Sequence, residues 1–491
     1  MMVLKTSLKH RNSTTKHRCL RVSGATSMSL YNTTGGCFYG NENKMGKQET
    51  SLVIECNKDD DHKSKDEDLP LTPGAMMFHQ PHLNCYILSI LGYGTKVDFD
   101  LMRQGLDRTL LRHPRFRSIQ VLDKHGRGKW VESEVTVNDH IVIPDVSGIK
   151  TVMEADQFVE DYISDLSTTR LDFVRPLWDV HVLNVKTSEA ESVAIIRIHH
   201  SIGDGVSLVS LLLASFRKSS DPSSLPTIPT KGSGSADARV RNGWVGFVWV
   251  FLYGLVTMVS VIWNTFVDTL GFLATSHGLK DTDTLIKGRE GCELKKKRFV
   301  HKTVLLADVK AVKRAIDGTI NDVLLGITSA GLTRYLCRRY EENGDGNLPK
   351  KIRLRSLLLV NVRKTPGILD MSEMMAGKNN KKQEFGNWIG YIMLPIPIAH
   401  HNDPLDYARI GKKIINRKKS SWEAFVSFST ARVFIKLFGI KSLTLHFQSY
   451  MNKIKMVIAA DETAIPDPHQ LCNDISDSLD RMKNAIDATG N

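Results

Sequence analysis

A chain of 491 residues with ordinary apolar, charged, Gly and Pro contents is a globular protein long enough for two or three structural units. Its net charge of +13 and pI near 9.3 suit an anionic membrane face or a phosphate-bearing substrate, while the lack of zinc-finger spacing, RNP-type aromatics and a base-reading basic helix excludes nucleic acid. Seven scattered cysteines, an odd number with no C-x-x-C pair, exclude a disulfide framework and a structural zinc site and read as reduced thiols.

Residues 1–66 are polar and rich in Lys, Ser, Thr, Asn and Gly, which predicts an unstructured tail. Two N-glycosylation sequons lie in it, but no apolar signal-peptide core precedes them, so they read as chance. A first domain over residues 67–218 follows. It starts at Pro70-Leu71-Thr72-Pro73, with strands predicted at 85–91, 116–122, 141–146, 178–185 and 193–198, and amphipathic helices at 99–111 and 155–166. Strands alternating with helices predict an α/β or α+β layered fold.

The strand at 193–198 runs into His199-His200-Ser201-Ile202-Gly203-Asp204-Gly205, and Leu208, Leu211, Leu212 and Leu213 mark a helix beyond. The motif therefore occupies a strand-to-helix turn. Attack of a hydroxyl on a carbonyl needs a group that removes its proton, and imidazole, with an unperturbed pKa of about 6.5, suits that task near neutrality. Asp204 either orients the imidazole or points away and pairs with an arginine to brace the loop. Gly203 and Gly205, which supply tight backbone, favour the brace. No third ligand lies at a metal-binding distance in sequence.

Residues 219–299 form a linker, first rich in Ser, Pro and Gly, then free of charge from 242 to 267. That stretch exceeds the roughly 20 apolar residues needed to cross a bilayer. A single crossing would put the two halves of the chain on opposite sides of the membrane, so a re-entrant or interfacial helix is the better expectation. Lys295-Lys296-Lys297-Arg298 reads as a solvated face or a headgroup contact.

A second domain, residues 300–491, has strands predicted at 303–306, 354–362 and 391–397, with helices at 321–340 and 474–486. Asn321-Asp322 opens the first of these helices, as an N-cap pair or as active-site groups in which Asn321 supports an oxyanion. Pro176-Leu177-Trp178 leads a strand and reads as core packing. Gly386-Asn387-x-x-Gly390 reads as a turn.

Together with Arg175-Pro176-Leu177-Trp178, Val360-Asn361-Val362-Arg363, Gly386-Asn387-Trp388-Ile389-Gly390 and Ile465-Pro466-Asp467-Pro468-His469, these motifs resemble the plant bifunctional wax ester synthase/diacylglycerol O-acyltransferases. That family lies within the CoA-dependent acyltransferases that carry the H-H-x-x-x-D-G motif. The resemblance implies two chloramphenicol-acetyltransferase-like domains, mixed sheets flanked by helices, with an active-site tunnel at their interface. It implies His200 as general base with His199 beside it, Asp204 and Gly205 as structural, Arg363 as the partner of Asp204, and Asn321, Asp322 and Asn387 near the tunnel or oxyanion. Acyl-CoA would be a co-substrate with no cofactor or metal, the acceptor a fatty alcohol or diacylglycerol, and the location the endoplasmic reticulum membrane, catalytic domains cytosolic, or the plasma membrane.

A soluble acyltransferase of specialised metabolites of the BAHD type is the enzyme alternative, disfavoured by the apolar segment and by the lack of Asp-Phe-Gly-Trp-Gly. A lipid-binding paralogue with impaired catalysis is the other. It draws on one departure: the resemblance implies a further strand-bearing stretch near residue 440 that this chain lacks, which predicts an opened tunnel or an unpaired sheet edge.

Overall fold

The computed structural model describes residues 27–30, 70–78, 85–122, 128–216, 244–289, 295–344, 351–364, 385–430, 442–450 and 452–489, with a few single positions between them. The remainder of the tail, the Ser/Pro/Gly-rich linker before 244 and most of the stretch around 440 lie outside these residues.

The strands in chain order are β1 Ser27–Leu30, β2 Tyr86–Tyr93, β3 Ser118–Leu122, β4 Gly128–Glu132, β5 Ile141–Val142, β6 Trp178–Leu183, β7 Ser192–His199, β8 Arg298–Leu305, β9 Leu354–Asn361, β10 Ile389–Ile396, β11 Leu443–Tyr450 and β12 Lys453–Ala460. The first domain has a four-stranded sheet in the order β2-β7-β6-β5, mixed because β5 runs parallel to β6, and a β3-β4 hairpin. β6 and β7 are buried along their whole length. Their alternate residues serve two cores: Val193 and Ile195 pack with Ala155 and Ile163 of helix Val152–Leu166, whereas Ile196 and Ile198 pack with Trp178, Leu208 and Leu211. A strand that is apolar over 193–198 apart from Arg197, whose charge is paired with Asp179, and that ends in the motif is thus a central strand covered on both faces.

The second domain is a six-stranded sheet in the order β10-β9-β1-β11-β12-β8. Helix Ile320–Glu342 is buried on nearly every side over its first four turns because it is the core of this half, flanked by helices Leu405–Lys419 and Pro468–Thr489. Asp322 at its third position accepts from the Thr319 backbone N–H at 2.6 Å. The N-cap is therefore Thr319, and not the Asn-Asp pair.

Residues 27–30 depart from the expected unstructured tail. They pair antiparallel with β11, Met28 opposite Leu445 and Leu30 opposite Leu443, and Ser29 bridges to Leu357 of β9. Ser-Met-Ser-Leu alternates polar and apolar at the period of a strand, and it sits between two strands that would otherwise face each other across a gap. The predicted unpaired edge is occupied here by β1.

The basic cluster before β8 is not a free face. Lys296 pairs with Asp165 at 2.6 Å, and Arg298 binds Asp161 and Glu462, which ties the second domain to helix Val152–Leu166 of the first.

Candidate active site

The turn after β7 places its two histidines apart, because successive residues of a strand point to opposite faces. His199 is fully buried, edge-on to Tyr86 and Phe173 at centroid distances of 5.6 and 5.9 Å. Its Nδ1 accepts from the Ser201 backbone N–H at 3.3 Å and lies 2.6 Å from the Ser201 hydroxyl, which also accepts from Gln120 at 2.7 Å. His199 does not stand beside His200 as a second open imidazole; it anchors the turn from behind.

The His200 backbone N–H donates to the Cys85 carbonyl at 2.9 Å, and its ring stacks on Phe78 with centroids 4.1 Å apart. Asn387 reaches it from the second domain. The Asn387 amide nitrogen donates to the His200 carbonyl at 2.9 Å, which turns Oδ1 toward the ring, 3.1 Å from Nδ1. An amide oxygen only accepts, so Nδ1 carries the hydrogen and Nε2 keeps its lone pair. Among the described residues Nε2 has no partner. Burial lowers the His200 pKa below that of free imidazole, opposed by its own carbonyl, Asp204 and Asn387, so the ring is neutral near pH 7.

Asp204 caps helix Gly205–Ser215, and all of its acceptor capacity is in use. Oδ1 takes the Ser207 N–H at 2.9 Å and Arg363 Nη2 at 2.9 Å, while Oδ2 takes Arg363 Nη1 at 2.7 Å and the Trp388 N–H at 3.0 Å. The carboxylate therefore points away from His200 and fastens the turn to the second domain. Arg363 also donates to the Ser207 hydroxyl and the Gly386 carbonyl, each at 2.8 Å, and to Asn361 at 3.1 Å.

Neither Gly203 nor Gly205 has left-handed backbone. A Cβ on Gly203 would meet the Phe385 ring at 3.2 Å, so that glycine answers to packing, whereas a Cβ on Gly205 would meet nothing within 4 Å. The backbone demand falls instead on Gly386, whose φ is +130° and where a Cβ would come within 2.9 Å of Arg115 Nη1.

Four participants carried no signal read as functional in the sequence. Phe78 ends the short helix Pro73–Met77, in which a Cβ on Gly74 would touch Asn387 at 2.9 Å. Arg115 donates to the Ile202 carbonyl at 2.7 Å and lies over Trp130 and Phe385. Burial brings its pKa down to about 10, so it remains charged. Phe385, from the second half of the chain, packs in the first domain's core and touches His113, which burial and the two neighbouring arginines push down to about 3. The Pro-Leu-Thr-Pro opening was the one available sequence cue, since it fixes the helix that delivers Phe78.

Asp322 is engaged within its own helix start, and its backbone carbonyl lies against Gly411. Asn321 Oδ1 is buried with no hydrogen-bond partner among the described residues. Trp178 is buried, donates to the Phe116 carbonyl at 3.0 Å and stacks on His140. No cluster of three or more potential metal-binding side chains occurs among the described residues.

Known proteins share both the sequence family and the fold of this chain. The family model for the wax ester synthase/diacylglycerol acyltransferase catalytic domain matches residues 80–324. That for the WS/DGAT C-terminal domain matches in two pieces, 385–444 and 441–483, which meet at the start of β11. Wax ester synthase/diacylglycerol acyltransferase 4 of Arabidopsis thaliana is 40% identical, over 86% of this chain and 91% of its own length. Wax ester synthase/diacylglycerol acyltransferase 11 of the same plant is 39% identical over 86% and 96%. In fold, the chain is similar to the wax ester synthase/diacylglycerol acyltransferase of Marinobacter aquaeolei VT8, with a TM-score of 0.51 at 15% identity over 85% of this chain and 99% of that one. It is similar also to the first condensation domain of the calcium-dependent antibiotic synthetase, with a TM-score of 0.51 at 11% identity over 84% and 97%. With both family models matched and plant relatives covered almost end to end, this chain belongs to the wax ester synthase/diacylglycerol acyltransferase family and is an acyltransferase.

Proposed function

We propose that the protein transfers a long acyl chain from acyl-CoA to a fatty alcohol, giving a wax ester, and secondarily to diacylglycerol, giving triacylglycerol, with His200 as general base. The observation that carries the reading is the His200–Asn387 pair, which leaves the Nε2 lone pair free on a neutral ring. Nε2 takes the hydroxyl proton as the alcohol oxygen attacks the thioester carbonyl. The tetrahedral intermediate collapses with loss of the CoA thiolate, which recovers the proton from His200. The step needs no metal or further cofactor; acyl-CoA is the co-substrate.

Asp204 and Arg363 act as a clamp that holds the base's turn against the second domain, and His199 steadies the same turn. The bond from the Thr319 N–H to Asp322 supports a role for Asp322 in seating helix Ile320–Glu342, while Asn321 stays the candidate oxyanion group. The segment Val248–Thr275 of helix Trp244–Ser276, apolar and exposed over most of its length, supports membrane association, with both domains on the cytosolic face of the endoplasmic reticulum or plasma membrane.

The test is expression in a yeast strain that lacks neutral lipid synthesis, fed a fatty alcohol. Wild type is expected to form wax ester, while His200→Ala, accumulating to the same level in membranes, loses at least ~10²-fold of that activity. Absence of ester from both, with the protein folded and membrane-bound, would sink the proposal and favour an impaired lipid-binding paralogue, to which the two-piece match at β11 also points.

A further inference from the structure

We infer that Trp422, Phe425 and Val426 form a second membrane contact, separate from the long apolar helix, through which a bilayer-borne acceptor reaches His200. The inference rests on the acyltransfer reading above.

These three residues lie on and just before helix Glu423–Ser429, with fractional exposures of 53%, 56% and 36%. With Ser429 and Thr430 they line an open groove. Their exposure is not that of a loose loop, because the helix is pinned from beneath. Glu423 accepts from the Met393 N–H at 2.8 Å, and the Ser427 hydroxyl both accepts from the Tyr391 N–H at 2.7 Å and donates to its carbonyl at 2.8 Å. A pinned helix that presents Trp, Phe and Val to solvent, with Glu423 and Ala424 turned inward and only Ser429 and Thr430 beside the groove, has the composition of a lipid-facing surface.

The patch continues into the long helix. Asn264 donates to the Ser420 carbonyl at 3.0 Å and Thr265 accepts from the Trp422 N–H at 2.9 Å, so the two helices meet beside Trp422. One turn later Asp268, the first charge after the uncharged stretch, is buried between Arg417 and Lys418, and Lys418 also pairs with Glu423. The junction is thus neutralised internally. The outward cation beside it is Lys419, the last residue of helix Leu405–Lys419, where it suits an anionic headgroup.

Topology excludes a single crossing. Asp204 and Arg363 hold the two domains face to face, so the chain leaves one at Phe216 and rejoins the other near Asp268 on the same side. Were the helix to span, residues 217–243, with their Arg, Lys and Asp, would have to recross the bilayer. The helix and the Trp422 patch therefore rest on one leaflet. The patch lies close to the base: Phe428 of the pinned helix stacks on Trp388 at 5.6 Å, and Trp388 adjoins Asn387, which holds His200.

The test uses the full chain and vesicles of phosphatidylcholine and phosphatidylserine carrying brominated acyl chains. The emission of wild type minus that of Trp422→Phe isolates Trp422; it is expected to shift to the blue and be quenched. In parallel, Phe425→Ser with Val426→Ser is expected to raise KM for a long-chain alcohol in vesicles roughly tenfold. Turnover of a short, water-soluble alcohol should stay unchanged. A Trp422 emission that remains unshifted and unquenched while the protein floats with the vesicles overturns the inference, as does an equal loss of both activities in the double variant. Wild type that turns over no acceptor fails the acyltransfer reading, while the fluorescence still reports on the contact.

Discussion

Asp204 and Arg363, 159 residues apart in sequence and on different domains, form a two-pronged ion pair at 2.7 and 2.9 Å in which neither side chain is open to solvent. Each remaining acceptor site on the carboxylate is filled by a backbone N–H, from Ser207 or Trp388. Removing one partner strands a buried charge. Arg363→Met is expected to lower stability by ~3–5 kcal/mol, read by urea unfolding. Because Asp204→Asn with Arg363→Met removes both charges, the double variant should cost less than the sum of the singles by at least ~1 kcal/mol. Additive losses would show that the pair does not act as a unit.

Asn387 sets the tautomer of His200, so Asn387→Ala should cut kcat by ~10²-fold and leave KM nearly unchanged. Its neighbours pack on the Asn387 side chain through Gly74 and not through a charge, so the fold should persist. A change in KM alone would argue against the positioning role.

Phe78 covers one face of the His200 ring and contributes to the burial that lowers its pKa. A base is active when unprotonated, so activity rises with pH through the lowered pKa and is level at neutrality. Phe78→Ala admits water and raises the pKa toward about 6.5. The acid limb of kcat/KM should then move to higher pH, with the plateau reached later. An unmoved limb would assign the low pKa to another cause.

His113 is neutral in the folded protein down to about pH 3, whereas in the unfolded chain it takes up a proton below about pH 6.5. The stability linked to it is fully present above that higher value and is lost as pH falls toward the lower one, by up to ~1.4 kcal/mol per pH unit. Between about pH 7 and about pH 5 the wild type should lose ~2 kcal/mol more than His113→Gln. Equal losses in urea titrations at the two pH values would assign the acid sensitivity to other groups.

β1 fills the place between β9 and β11, so Ser29, the residue that contacts both, cannot become proline without losing a ladder hydrogen bond. Ser29→Pro is expected to cost ~1–3 kcal/mol and to lower the melting temperature, whereas proline outside residues 27–30 in the tail should not. A neutral Ser29→Pro would mean that the sheet does not depend on this strand.

The strand-to-helix turn was legible because local chemistry writes it. A largely apolar run, two histidines, an N-capping Asp and a leucine-rich helix are all written in neighbouring residues. Arg363 was reachable only through resemblance, since nothing in its own surroundings names Asp204. Asn321-Asp322 looked like a cap and a site at once. The backbone chose Thr319 as the cap, because Asp at the third position can reach back to that residue's N–H. The tail misled, since low hydrophobicity describes its average and not the four alternating residues that a gap between two strands can recruit.

By itself the sequence determined the layered α/β plan, the position of the histidine turn and the uncharged helix, because periodicity, capping and apolar length are properties of neighbouring residues. Only the tertiary structure decided which imidazole faces the second domain, what fixes its tautomer, and that Asp204 is spent on Arg363. Those outcomes depend on contacts between residues more than a hundred positions apart. Such contacts come from packing two domains against each other, and no local pattern encodes them.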